Sequence, residues 1–261
     1  MHSNGKKEQA AFDMIGDVHG CFDELLALLR KMEYQVNFSK GKFCVSHPSN
    51  RKVIFLGDLV DRGPKIKEVL HLAMDMAEAG SAFCVLGNHE EKLLRKLRGR
   101  DVQIKNGLEV TLAQLKDAEP EFLARVESFL AGLSSYYLLD KQRVVVAHAG
   151  LKEDMQDRPD KKAFDFALYG ERTGKKDEAG LPIRGEWMKE YQGSALVVYG
   201  HTPTKEVLQV NNTLNVDTGC VFGGKLTAYR YPEGEVVESP ALKAYAKPRR
   251  PILGSAASGS R

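Results

Sequence analysis

Val53-Ile54-Phe55-Leu56-Gly57-Asp58-Leu59-Val60-Asp61-Arg62-Gly63 is a short, unbroken apolar run that stops at a glycine and gives way at once to two acids and an arginine. A run of four or five apolar residues that does not alternate is the pattern of a strand buried on both faces, and the glycine lets the chain turn sharply at its end. The same grammar recurs at Phe12 to Ile15, Phe83 to Leu86, Val144 to Ala147 and Leu196 to Tyr199. These runs are followed by Gly16-Asp17-Val18-His19-Gly20, Gly87-Asn88-His89-Glu90, His148-Ala149-Gly150 and Gly200-His201-Thr202-Pro203. The pattern predicts that polar residues from five strand ends gather at one edge of a sheet.

Between these strands the apolar spacing becomes helical, over Asp23 to Met32, Lys65 to Ala79 and Glu90 to Arg98. Alternating strands and helices predict an α/β layered architecture. Residues 107–139 read as an inserted helical subdomain without motif residues. Residues 207–237 read as antiparallel hairpins, with turns at Asn211-Asn212 and Pro232-Glu233-Gly234, that build a second sheet. The expected organisation is one catalytic domain over 12–238, between a flexible N-terminal extension, 1–11, and a flexible basic C-terminal tail, 239–261.

With 43% hydrophobic and 28% charged residues, the chain has the composition of a globular protein and not of a disordered one. The net charge is +3; the ends, 239–261 and 1–11, carry +5 and +1, so subtraction leaves the body at −3. A body of that sign excludes a general nucleic-acid binder, and the basic ends read as solvated segments. The cysteines Cys21, Cys44, Cys84 and Cys220 form no paired motif, which suggests reduced, mostly buried thiols. No apolar run approaches 18 residues and the N-terminus has no hydrophobic signal core, so the expectation is a cytoplasmic protein without a membrane partner.

Carboxylates, imidazoles and a carboxamide at five strand ends make a metal cluster. This ligand set suits Mn²⁺, Fe, Zn²⁺ or Co²⁺, with Mn²⁺ favoured and Mg²⁺ admitted, and the absence of a thiolate cluster speaks against structural zinc. Two cations sharing a bridging carboxylate can polarise a phosphoryl group and activate water, and Asp58 is the best candidate for the bridge. Arg62 offers a planar fork for two phosphate oxygens.

In type and order the five motifs resemble those of the calcineurin-like metallophosphoesterases of the phosphoprotein-phosphatase superfamily. The resemblance implies a two-sheet β-sandwich flanked by helices. It also implies a first metal on Asp17, His19 and Asp58 and a second on Asp58, Asn88, His148 and His201. It further implies that His89 is the general acid, that Asp61 orients its imidazole, and that Arg62 clamps phosphate. A second clamp is expected at Arg184 or Arg172, with Arg184 favoured.

Phe166-Ala167-Leu168-Tyr169-Gly170, Val197-Val198-Tyr199-Gly200-His201-Thr202-Pro203 and Asn215-Val216-Asp217-Thr218-Gly219-Cys220-Val221-Phe222-Gly223-Gly224 narrow the likeness to bacterial-type diadenosine tetraphosphatases. They also resemble the phosphatase module of bacterial polynucleotide kinase-phosphatases, but no kinase module accompanies them here. The implied substrate is a dinucleoside polyphosphate. A phosphoprotein, or a capped or 5′-phosphorylated RNA, stands as the alternative, because the same metal core serves all three. Lys92, Arg95, Lys96, Arg98 and Arg100 are read evenly as a polyphosphate contact or a solvated helix face. Phe166, Tyr169 and Phe222 are read as core more readily than as base-stacking residues.

Overall fold

The computed structural model describes residues 11–177, 182–252 and 254. In chain order the strands are β1 (Phe12–Ile15), β2 (Gln35–Ser39), β3 (Lys42–Ser46), β4 (Lys52–Phe55), β5 (Ala82–Cys84), β6 (Tyr136–Leu139), β7 (Val144–Ala147), β8 (Arg172–Lys176), β9 (Pro182–Arg184), β10 (Leu196–Tyr199), β11 (Leu208–Val210), β12 (Thr213–Asn215), β13 (Lys225–Tyr231) and β14 (Glu235–Pro240). The α-helices are α1 (Phe22–Lys31), α2 (Ile66–Glu78), α3 (Asn88–Leu97), α4 (Leu108–Leu115), α5 (Pro120–Ala131) and α6 (Lys161–Tyr169).

Two five-stranded sheets carry the fold, ordered β14-β13-β1-β4-β5 and β11-β12-β10-β7-β6. In the first, β1, β4 and β5 run parallel; in the second, β7, β10 and β12 do. The alternation of side chains along a strand explains why the apolar runs are continuous. Met14, Ile54, Val144, Val146 and Val198 point into the core between the sheets. Their neighbours Ile15, Val53 and Phe55 face α1 and α2, while Val145, Ala147, Val197 and Tyr199 face α6 and Trp187. Both faces of each sheet are therefore covered, giving helix, sheet, sheet and helix layers, as expected for a β-sandwich flanked by helices.

This arrangement corrects the expectation of one sheet edge: β1, β4 and β5 bring their motifs from one sheet and β7 and β10 from the other. The hairpins over 207–237 do not form the second sheet alone. β11 and β12 extend the sheet of β7 and β10, whereas β13 returns to pair antiparallel with β1. The helical insertion is α4 and α5 and ends before residue 139, because Tyr136–Leu139 pairs with β7.

The C-terminal stretch is corrected too. β14 runs to Pro240, the backbone N–H of Leu242 and the hydroxyl of Tyr245 donate to the buried Glu24 carboxylate at 3.0 and 2.8 Å, and Phe222 bridges Ala244. Residues 1–10 and 255–261, expected to be flexible ends, lie outside the described residues. Cys21, Cys84 and Cys220 are buried and Cys44 is exposed, all as free thiols. Among the described residues no helix is long and apolar enough to cross a membrane.

Candidate metal centre

The parallel strands deliver their C-terminal ends to one end of the sandwich. There the loops are stitched across the strands, with His19 N donating to Asp58 O at 2.8 Å and Gly200 N to His148 O at 2.8 Å. At Gly57 a side chain is impossible: φ is 84°, and a Cβ would stand 2.7 Å from the Gly87 backbone and 3.1 Å from His148 Nδ1. His19, Asp58, Asp61, Arg62 and His201 also hold positive φ, between 43° and 73°. Such backbones are strained for L-residues and persist where surrounding contacts over-determine them.

Those contacts are visible. Glu90, fully buried, accepts the backbone N–H groups of Asp58, Leu59, Val60 and Gly87 at 2.6, 2.8, 3.2 and 3.2 Å, and so shapes the Asp58 loop. Burial and the nearby Asp58 push its carboxyl up to about 8, opposed by these N–H donors. Asn88 and His89 open α3, so its N-terminal N–H groups face the same space, a favourable setting for an anion.

Asp58 lies at the centre. Its ligand atoms and those of His19 and His89 lie within 4.8 Å of one another, and a second such set joins Asp58 to His148 and His201. Asp58 Oδ2 is 3.4 Å from His19 Nε2, and Oδ1 is 3.3 Å from His148 Nε2.

The protonation pattern is fixed from behind. His19 Nδ1 meets Val60 O at 2.6 Å and His148 Nδ1 meets Leu56 O at 2.8 Å. A carbonyl only accepts, so both Nδ1 atoms carry the proton and both Nε2 lone pairs face inward. His148 Nε2 then confronts Asn88 Oδ1 at 3.1 Å and His201 Nδ1 at 2.9 Å as well as Asp58. The Asp58 carboxylate, Asn88 Oδ1 and the His148 Nε2 lone pair thus converge as acceptors on one space, a donor set that fits divalent metal.

Charge energetics agree. Burial lowers the imidazoles of His19, His89 and His201 well below their ordinary range and His148 to about 4. Burial raises Asp58 to about 7, and burial with Asp217 and Asp58 raises Asp17 well above the carboxylate range. Asp17 lies in neither tight ligand set; its two oxygens accept His201 N at 3.1 and 3.2 Å.

His89 faces two ways. Nδ1 is bonded to Asp61 Oδ2, while Nε2 lies 2.9 Å from an Arg62 nitrogen and 3.7 Å from Asp58 Oδ2. Asp61 is held in turn by Thr111, whose hydroxyl donates to Asp61 Oδ1 and accepts Asp61 N at 2.9 Å. The second nitrogen of Arg62 contacts His19 Nε2, and its guanidinium lies 5.5 Å from the Phe222 ring centre.

The two candidates for the second clamp separate. Arg184 is half-buried and donates to Tyr169 O, and its positive charge depresses His148 and His201. Arg172 is exposed and lies 4.0 Å over the Tyr169 ring.

Three supporting residues carry no role in the sequence reading. Glu90 follows Asn88-His89 directly and stood inside a quoted motif. Asp217, a buried neighbour of Asp17, stood in another. Thr111 lay in the insertion, where no pattern signals it. Of the basic run, Lys92 Nζ is bonded to Lys105 O at 2.7 Å beside the site, whereas Arg98 pairs with Glu127 at 3.0 Å.

Fold and centre together define a class, and the chain belongs to the calcineurin-like phosphoesterase family, whose model matches residues 11–236. It is a metal-dependent phosphoesterase. Among curated relatives, a protein from Anoxybacillus flavithermus is 43% identical over 238 residues, 90% of this chain and 96% of its own, and one from Geobacillus sp. is 44% identical over 237 residues, 89% and 95%. Both are named bis(5′-nucleosyl)-tetraphosphatase PrpE [asymmetrical]. A crystal structure assigned provisionally as a diadenosine tetraphosphatase aligns with TM-score 0.63 and 26% identity, covering 90% of this chain and 95% of the other. A serine/threonine phosphatase from Saccharomyces cerevisiae aligns with TM-score 0.60 at 18% identity, covering 93% and 82%, and shares the fold.

Proposed function

We propose that this enzyme hydrolyses a phosphoanhydride bond of dinucleoside polyphosphates such as diadenosine tetraphosphate, cleaving it asymmetrically to ATP and AMP. The observation that carries the reading is the likeness to relatives of that name across about nine-tenths of the chain. The site agrees with it, because the centre is flanked by arginines suited to successive phosphates.

In this reading Asp17, His19 and Asp58 hold one divalent ion and Asp58, Asn88, His148 and His201 the other, with Mn²⁺ as the working pair. Bound there, the ions supply Lewis acidity toward the phosphoryl oxygens and toward water. The remaining chemistry belongs to side chains. The fork of Arg62, with Arg184 opposite, orients the reacting phosphoryl group. His89 acts as the general acid in this reading: Nδ1 is held by Asp61, and Nε2, which lies beside Arg62, is the nitrogen left to deliver a proton to the departing oxygen. Asp61 fixes the ring through Nδ1, while burial and the neighbouring Arg62 disfavour its charged form. The N-terminus of α3 adds fixed positive potential.

Product analysis by liquid chromatography of diadenosine tetraphosphate incubated with Mn²⁺-loaded enzyme tests this, beside a phosphopeptide and a capped dinucleotide. ATP plus AMP is the expected outcome. Two ADP would revise the symmetry, and preference for the phosphopeptide or the cap would replace the substrate.

A further inference from the structure

The segment after β14, read from sequence as a solvated basic tail, lies beside the site. Tyr245 N and Ala246 N donate to Val221 O at 2.9 and 3.1 Å, which seats the segment on the loop carrying Phe222, the ring beside Arg62. Farther on, Arg249 Nη1 donates to Asn106 Oδ1 at 2.9 Å, and the next residue, Arg250, pairs with Asp177 at 2.9 Å.

The two contacts lie on opposite flanks. Asn106 precedes Gly107, whose position is so close to Arg62 that a Cβ would stand 2.5 Å from Arg62 Cγ. Asp177 follows β8, which pairs with the strand carrying Arg184. Consecutive Cα atoms are about 3.8 Å apart. One dipeptide therefore ties the loop beside Arg62 to the hairpin beside Arg184.

From this placement we infer that Arg249 and Arg250 form a distal-phosphate subsite, which takes the polyphosphate chain as it leaves the metal centre. The inference rests on the substrate reading above and specifies where the rest of that substrate goes. Both arginines are exposed, so an anion can reach them. Among the described residues Arg249 is held by a neutral carboxamide and has no acid at ion-pair distance, so its charge remains to be compensated. Lys92 and Lys105 lie on the same flank. Arg172 and Arg250 both repel Arg184 electrostatically, a like-charge gathering that a polyanion relieves. A phosphate ester with one short group would end at Arg62 and Arg184 and would not reach the pair.

The test uses the full chain loaded with Mn²⁺ and the double variant Arg249→Ala/Arg250→Ala. One readout is kcat/KM for diadenosine tetraphosphate divided by that for p-nitrophenyl phosphate. Another is inhibition of aryl phosphate hydrolysis by inorganic tripolyphosphate against orthophosphate. Loss of two charge-assisted contacts should lower the ratio and weaken tripolyphosphate inhibition about tenfold, with a smaller change for orthophosphate. Arg249→Lys/Arg250→Lys should recover most of both. An unchanged ratio, equal losses on both substrates, or faster turnover of the tetraphosphate would each overturn the subsite. If the parent enzyme does not cleave the tetraphosphate, the substrate reading falls, while the tripolyphosphate arm still decides the subsite.

Discussion

Replacing Thr111 with valine keeps the shape of the side chain and removes one hydroxyl, at a fully buried position 50 residues along the chain from the carboxylate it holds. Two bonds disappear together: the hydroxyl no longer donates to Asp61 Oδ1 and no longer accepts Asp61 N. A hydrogen bond to a charged group contributes about 1.5–3 kcal/mol net, and a buried N–H left unpaired costs about 1–3 kcal/mol. Relaxation will recover some of this, so the expected destabilisation is about 3 kcal/mol. At about 2–4 °C per kcal/mol for a chain of this size, the Tm should fall by about 6–12 °C. The catalytic consequence passes through His89, because a loosened Asp61 no longer fixes its imidazole. Turnover should fall roughly tenfold or more for a poor leaving group and much less for an activated aryl phosphate, which needs little protonation. Thermal melts of the metal-free protein and steady-state rates on the two substrates measure both effects, and Thr111→Ser, which keeps the hydroxyl, should restore them. A Tm within a degree of the parent, or equal rate losses on both substrates, would refute the reasoning.

Asp58→Asn should abolish two-metal occupancy, since one neutral amide cannot serve both ligand sets; metal content by mass spectrometry checks it, and two bound ions with full turnover would remove the bridge. His89→Asn should slow the poor leaving group far more than the activated one, and a Brønsted plot over leaving-group pKa reads the difference. Metal binding should release protons near neutrality. Burial raises Asp58 to about 7 in the metal-free protein, so below that pH a proton must leave before the carboxylate can bind, and affinity should fall as pH drops, about tenfold per pH unit per proton released. Calorimetry in two buffers of different ionisation enthalpy counts those protons; a pH-independent affinity between 6 and 7 would contradict the burial of that carboxyl.

The strands bearing motifs were legible because burial on both faces writes itself as an unbroken apolar run, and β1, β4, β7 and β10 sit where such runs fall. Their division between two sheets was not legible, because a run buried against helices and a run buried against another sheet look alike. The hairpin of β2 and β3 falls outside that pattern: Val36, Phe38, Phe43 and Val45 alternate with polar residues, and Phe38 remains largely exposed, so no unbroken apolar run marks it. The residues that the fold gathers at the centre stand at glycine turns and could be picked out by type. The contacts of Thr111 with Asp61 and of Arg249 with Asn106 could not, since each reaches a distant loop and nothing in its own neighbourhood reports the partner.

The core between the sheets has a consequence beyond stability. Met14, Ile54, Val146 and Val198 set how far one sheet stands from the other, and the donors on β1 and β4 are thereby gauged against those on β7 and β10. The layer of side chains works as a spacer: a methyl group lost from it alters the separation of the two halves of the centre, although no donor atom has been touched. Tolerance for core substitutions should therefore be narrower here than in a protein whose site residues all hang from one sheet.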